Sequence, residues 1–179
     1  ECPKVRWEKC PRCQARIRQL GLRDKDGYTA EHYLQGYVTD RIGKYLAERG
    51  RRIIGWDEIL EGQAPSDAIV MSWRGSAGGI KAAKLGHDVI MTPNSHFYFD
   101  YYQSPDADAE PFGIGGCVTI DKVYSFDPMA DLTPGQQAHI LGVQANLWTE
   151  YIADIRHAQH MVLPRMAALA ETGWANDRK

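Results

Sequence analysis

The 179-residue sequence predicts an α/β fold built on a parallel sheet, and three observations predict it. First, four short runs are continuously apolar rather than alternating, as in strands buried on both faces. Second, segments with helical spacing fall between them. Third, three of the four runs end in Trp followed closely by a charged residue: Trp56-Asp57-Glu58, Trp73-Arg74 and Trp148-Thr149-Glu150.

Residues 1–28 are polar and read as irregular, with a short helix around Gln14–Leu20. A helix over Thr29–Arg49 follows, because Tyr33, Leu34, Tyr37, Val38, Ile42, Tyr45 and Leu46 recur every three or four residues. Thr29 is a suitable N-cap and Gly50 a suitable stop. The first strand run is Arg52–Trp56, the second Ala68–Trp73 and the third Asp88–Met91, with a helix over Gly78–Leu85 closed by Gly86. The segment Pro93–Gln137, rich in Asp, Pro and Gly, reads as one long loop, and loops of that length tend to be functional. The fourth run, Ile140–Trp148, leads into a helical tail from about Asp154 to Glu171 that Pro164 must kink or split.

Composition excludes several classes. With 44% hydrophobic and 25% charged residues the chain belongs to the ordinary globular class, and its length suits one domain of roughly 100–200 residues. A net charge of -2 gives no reason to expect nucleic acid as a partner. No apolar stretch reaches the ~20 residues of a membrane span. The basic run Arg49, Arg51 and Arg52 sits where a helix ends, which the helix dipole favours, so it reads as solvated structure. The opening Glu1-Cys2-Pro3, with neither a starting Met nor a signal peptide, leads to the expectation of a piece of a longer chain. Cys10-Pro11-Arg12-Cys13 has the spacing of metal and redox sites, with Cys2 as a further ligand, but a second close pair is missing and the thiols read first as structural or incidental.

In parallel α/β folds ligands bind at the carboxyl ends of strands. One Trp would be read as core; three at matching strand ends, each beside a charged group, favour a sugar site. An indole face takes the C–H surface of a sugar ring, and carboxylates accept from hydroxyls. Asp57 and Glu58 are neighbours at a strand end and are expected to point apart, so both read as structural or as supports for the residues that touch substrate. His87 and His96 have no nucleophile arrangement around them and read as core or surface.

Five stretches carry a family resemblance: Ile54-Gly55-Trp56-Asp57-Glu58-Ile59, Tyr98-Phe99-Asp100-Tyr101-Tyr102-Gln103, Gly142 through Glu150, Leu163 through Glu171, and the opening Glu1-Cys2-Pro3-Lys4 with Trp7 and Cys10. In this order they resemble the β-N-acetylhexosaminidases of glycoside hydrolase family 20 along nearly the whole chain. The resemblance implies that residues 1–179 are the C-terminal portion of a catalytic (β/α)8 TIM barrel, with the four strands as its fifth to eighth. It implies hydrolysis of terminal N-acetylhexosamine from β-glycosides, with retention through an oxazolinium intermediate formed by the substrate's own acetamide. By position, Glu1 matches the general acid/base and Tyr98 the tyrosine that bonds the acetamide. Trp56, Trp73 and Trp148 match aromatic walls, and Asp100 and Glu150 match acids that hold sugar hydroxyls.

No metal or organic cofactor is implied, and the partner is an N-acetylhexosamine-containing oligosaccharide or glycoconjugate. Export is expected from that substrate class alone. The Asp that should precede Glu1 and the half-barrel bearing the sugar-gripping arginine are expected outside this chain. The loop 104–135 has no Trp where some relatives close the pocket with one, leaving Phe112 or Tyr124 as substitutes. The competing readings are a non-catalytic sugar-binding barrel and a small metal or redox module at residues 2–13.

Overall fold

The computed structural model describes residues 2–175. Glu1 lies outside the described residues. Four strands, β1 (Ile54–Trp56), β2 (Ile69–Ser72), β3 (Val89–Met91) and β4 (Ile140–Val143), form one parallel sheet in the order β1-β2-β3-β4. Sequential order in a parallel sheet is the signature of repeated strand–helix units turning one way.

The N-terminal region is more helical than the expectation of irregular chain with one short helix around Gln14–Leu20. It forms α1 (Lys4–Glu8) and α2 (Pro11–Leu20), which pack with α3 (Ala30–Ala47) around Ile17, Ala30 and Leu34. Polar composition hid α1 and the start of α2, because each helix buries only a narrow stripe: no residue of α1 and only Ile17 of α2 is buried. Thr29 takes the N-cap of α3 as expected, its N–H donating to His32 Nδ1 at 3.1 Å. The inward face of α3 is a second correction. Val38, Ile42 and Tyr45 are 43–56% exposed, whereas Leu34, Gly36 and Gly43 are buried. Contact is made through glycine: a Cβ at Gly36 would stand 2.8 Å from the Gln63 carbonyl oxygen.

After β2, α4 (Ala77–Lys84) lies on the sheet. Gly79 permits that approach, since a Cβ there would meet Met91 Sδ at 2.6 Å. Gly86, at φ +84°, turns the chain toward β3 as a left-handed stop.

The expected long loop is partly helical, a third correction. It contains α5 (Asn94–Phe97), a 3₁₀ turn at Ala107–Ala109, α6 (Ile120–Tyr124) and α7 (Pro134–Gln137). Thr119 caps α6 through Lys122 N–H, a signal too local for periodicity to find in a five-residue helix. The tail divides at Pro164, as expected, into α8 (Ile155–Val162) and α9 (Arg165–Trp174). Val70, Val89, Met91, Phe97, Phe99, Val118, Val123 and Phe126 form the main core, with Ala168 of α9 closing it.

Candidate functional site

The carboxyl ends of β1 and β2 each deliver an indole. Trp56 ends β1 and Trp73 follows β2. Trp148 lies five residues past the end of β4, because the strand stops at Val143 rather than running to Trp148. A bridge between Tyr98 and Asn146 carries the pairing beyond the strands: Phe99 N–H donates to the Asn146 carbonyl at 2.7 Å, and Asn146 N–H to that of Phe97 at 2.8 Å. This bridge fixes Tyr98 and Trp148 relative to each other.

Two adjoining pockets result. The first, about 220 Å³, is lined by Trp56, Glu58, Trp73, Tyr98 and Trp148. The second, about 280 Å³, is lined by Tyr98, Asp100, Tyr101, Ile114, Trp148 and Glu150. Tyr98 and Trp148 are therefore their common wall. All six described residues singled out from sequence for this site (Trp56, Trp73, Tyr98, Asp100, Trp148 and Glu150) line one pocket or both. The rings contact one another: Trp73 stacks on Tyr98 with centroids 6.2 Å apart and planes at 20°, Tyr98 meets Trp148 edge-on at 6.2 Å, and Trp56 tilts against Trp148 at 6.1 Å. A larger cavity, about 550 Å³, lies away from these rings against β4, α6 and α9.

The carboxylates divide by partner. Asp57, 2% exposed, accepts from Arg74 Nε at 2.8 Å, while Arg74 also reaches Glu61 at 2.7 Å. Burial pushes the Asp57 carboxyl up and Arg74 opposes this. Burial also acts upward on Glu58, but hydrogen bonds prevail: the Trp73 indole N–H donates to both its oxygens at 3.0 Å, and its carboxyl is held below the usual range. Contrary to the expectation that they point apart, the Asp57 and Glu58 side chains also interact with each other, which adds to the rise at Asp57 and to the lowering at Glu58. Glu58 in addition lines the first pocket.

Asp100 differs from both. It is 6% exposed, and its Oδ1 has no hydrogen-bond partner among the described residues. Burial pushes its carboxyl up, helped by the nearby Glu150 charge and opposed by backbone hydrogen bonds. Burial likewise raises the Tyr98 phenol, offset in part by a hydrogen bond with Trp148.

Sequence reasoning also missed Tyr101 and Ile114 as lining residues, and the buried Arg165 beneath the site. No periodicity marks a residue as lining when it lies in irregular chain. Phe112, one of the two candidates for closing the pocket, pairs edge-on with Tyr151 at 5.5 Å, next in sequence to Glu150. The other, Tyr124, lies on α6 and donates to Glu171 at 2.9 Å, by the larger cavity.

Cys2, Cys10, Cys13 and Cys117 are free thiols. Among the described residues no three His, Cys, Asp or Glu side chains are grouped to hold a metal ion, so Cys2, Cys10 and Cys13 are not gathered as a metal site. Among the described residues no helix is long and apolar enough to cross a membrane.

A parallel sheet with helices between its strands, and ring-lined pockets at the strands' carboxyl ends, places the molecule in the class of (β/α)8-barrel proteins. The model of glycosyl hydrolase family 20, catalytic domain, matches residues 1–177. A β-hexosaminidase of Porphyromonas gingivalis is 46% identical over 176 residues, which cover 97% of this chain and 22% of that protein. One from Vibrio furnissii is 30% identical over 97% of this chain and 28% of its own length. Among solved structures, the Vibrio harveyi exo-β-N-acetylglucosaminidase in complex with N-acetylglucosamine superposes with a TM-score of 0.80 at 28% identity, over 97% of this chain and 27% of that one. The chain belongs to glycoside hydrolase family 20, and its sheet corresponds to half of the family's barrel. It spans about a quarter of the length of these relatives.

Proposed function

We propose that this chain is the C-terminal portion of the catalytic barrel of a β-N-acetylhexosaminidase, and supplies most of the pocket that holds a terminal N-acetylhexosamine. The observation that carries this reading is the pair of pockets sharing Tyr98 and Trp148, one walled by indoles and the other lined by a buried acid, Asp100, whose Oδ1 has no donor among the described residues. The ring-walled pocket suits an acetamide methyl and the sugar's C–H face, and Asp100 and Glu150 suit hydroxyl donors.

The chemistry follows from what such a pocket does to the substrate. In the proposed reaction the acetamide oxygen attacks the anomeric carbon, the leaving oxygen takes a proton, and water later opens the oxazolinium with net retention. Held against Trp73 and Trp148, the Tyr98 hydroxyl orients the acetamide, so that the already intramolecular attack starts from an aligned conformer. Glu58, anionic and bonded to Trp73, fixes that indole and adds negative charge near the developing cation. Glu1 is the general acid/base by its place in the family motif. Export, and an N-acetylhexosamine oligosaccharide or glycoconjugate as substrate, follow from the same reading.

The remaining half of the barrel completes the site. β1 and β4 are both edge strands, and Ile54, Leu141 and the Val38–Ile42–Tyr45 stripe of α3 are exposed apolar surface, which fits further strand–helix units packing on both sides.

The test uses the full-length protein with an aryl N-acetyl-β-glucosaminide and a GlcNAc disaccharide. Both should be cleaved with retention. Glu1→Gln should impair the disaccharide far more than the aryl glycoside, because an aryloxide departs with little protonation. Equal slowing of both substrates, or selective loss in Glu58→Gln instead, would move the acid away from Glu1. Absence of turnover on either substrate would favour a non-catalytic sugar-binding barrel.

A further inference from the structure

Arg165 is the first residue of α9 and has no exposed surface. Its guanidinium donates to four backbone carbonyls: Phe99 at 2.8 Å, Val118 at 2.9 Å, Tyr101 at 3.0 Å, and Met161 of α8. It also lies over the Phe99 ring, 4.7 Å from the centroid. Burial lowers its pKa to about 10, which still leaves it charged at neutral pH.

Two of these carbonyls belong to the residues on either side of Asp100. The third, on Val118, lies in the segment whose N–H donates to the Tyr102 carbonyl at 2.8 Å. The cation thus clamps the backbone before, after and beneath Asp100 without touching its carboxylate. A purely structural salt bridge would pair Arg165 with an acid, yet no ion pair to it is formed among the described residues. The Glu110 and Asp100 charges favour the cation from beyond ion-pair distance, but all of its hydrogen bonds among the described residues go to carbonyls, and what they secure is the path of residues 99–101.

We propose that Arg165 is a positioning residue for the sugar-binding acid Asp100, an inference that rests on the hexosaminidase reading above. Only a planar fork with five N–H donors reaches carbonyls from three separate segments at once. Lysine keeps the charge but has three donors and no fork, so Arg165→Lys should let the 99–101 path relax and displace the Asp100 carboxylate.

A double-mutant cycle in the full-length protein separates this from general stability. Displacing a binding group by about 1 Å costs up to ~10²-fold, so Arg165→Lys should lower kcat/KM about 10–100-fold in the otherwise unmodified protein. In an Asp100→Asn background the same change should cost less than about 3-fold, since the group it positions is already disabled. The loss should also fall on the same parameter, kcat or KM, in Arg165→Lys as in Asp100→Asn. Equal, additive losses in both backgrounds would overturn the inference while leaving the hexosaminidase reading intact. Arg165→Gln serves as a second variant; failure of both to give folded protein by circular dichroism would make Arg165 a folding residue and overturn the inference too. An unmodified protein without hexosaminidase activity overturns both readings together.

Discussion

The two ends of the sheet carry similar side chains arranged on opposite principles. At the amino ends, the residues just before the strands satisfy one another. Arg52 precedes the β1 region and bonds Asp88 at 2.7 Å and the Asp67 carbonyl at 2.9 Å, while His139, just before β4, meets Asp88 at 3.3 Å. This polar ladder ties together the starts of all four strands, and Arg52 holds the Asp88 carboxyl below its ordinary range. At the carboxyl ends, Asp57 and Glu58 have partners, but Asp100 is more deeply buried than Asp88 and keeps an oxygen without a donor. Charge buried without a donor costs stability. Its presence at the carboxyl end accords with the proposed division between a binding surface there and a surface that holds the fold together at the amino end.

The largest expected effect that sharpens this contrast is at Tyr98. In the proposed mechanism the phenol stabilises the acetamide oxygen as it becomes a nucleophile, so Tyr98→Phe should remove a transition-state interaction. About 2–4 kcal/mol should be lost from kcat, with KM changing much less. Steady-state kinetics on the aryl glycoside measures it. An unchanged kcat would leave Tyr98 as part of the ring cluster only, and the carboxyl end would lose its chemical distinction.

Asp100→Asn tests the other half of the comparison. Its folded pKa is raised by burial, so its neutral form is the one the fold prefers. The sign follows: stability tied to this proton is fully present below the ordinary Asp value of ~3.9 and is lost as pH rises through the folded value. Asn mimics the neutral form. Asp100→Asn should therefore stabilise the protein at pH 7, on the order of 1 kcal/mol, while lowering activity. The gain should shrink toward zero below the Asp range. Denaturant melts at pH 7 and pH 3.5 decide it; a variant less stable at pH 7 would mean that Asp100 serves the fold.

How much of this was legible in the sequence depends on distance along the chain. The strands, α4 and the break at Pro164 were readable because periodicity and Gly or Pro punctuation are local. Tyr98 and Trp148 were singled out through motif resemblance, but the pocket wall they share depends on a bridge between segments 48 residues apart. The helix α1 and the first turn of α2 were missed because their polar sequences bury almost nothing, while the Gln14–Leu20 part of α2 was expected. The outward turn of Val38, Ile42 and Tyr45 was missed because an apolar stripe does not say which neighbour it faces. Arg165 was quoted within a motif, yet nothing local marks a guanidinium whose partners lie up to 66 residues away.

The smallest predicted effect lies at the amino ends. Arg52 and Asp88 are 44% and 24% exposed, so their ion pair belongs to the screened, surface kind, worth roughly 0.2–1 kcal/mol. Arg52→Ala should cost about that much at pH 7 and leave kcat and KM unchanged, because no pocket residue is touched. Here the sign is opposite to that of Asp100. A carboxyl whose folded pKa is depressed contributes stability above its unfolded value and loses it as pH falls through the folded value. The penalty of Arg52→Ala should thus fade in acid, and fade again in high salt as the pair is screened. If the variant instead lowered activity at constant stability, the amino ends would be coupled to the pocket through β1, and the division between a binding end and a holding end would fail.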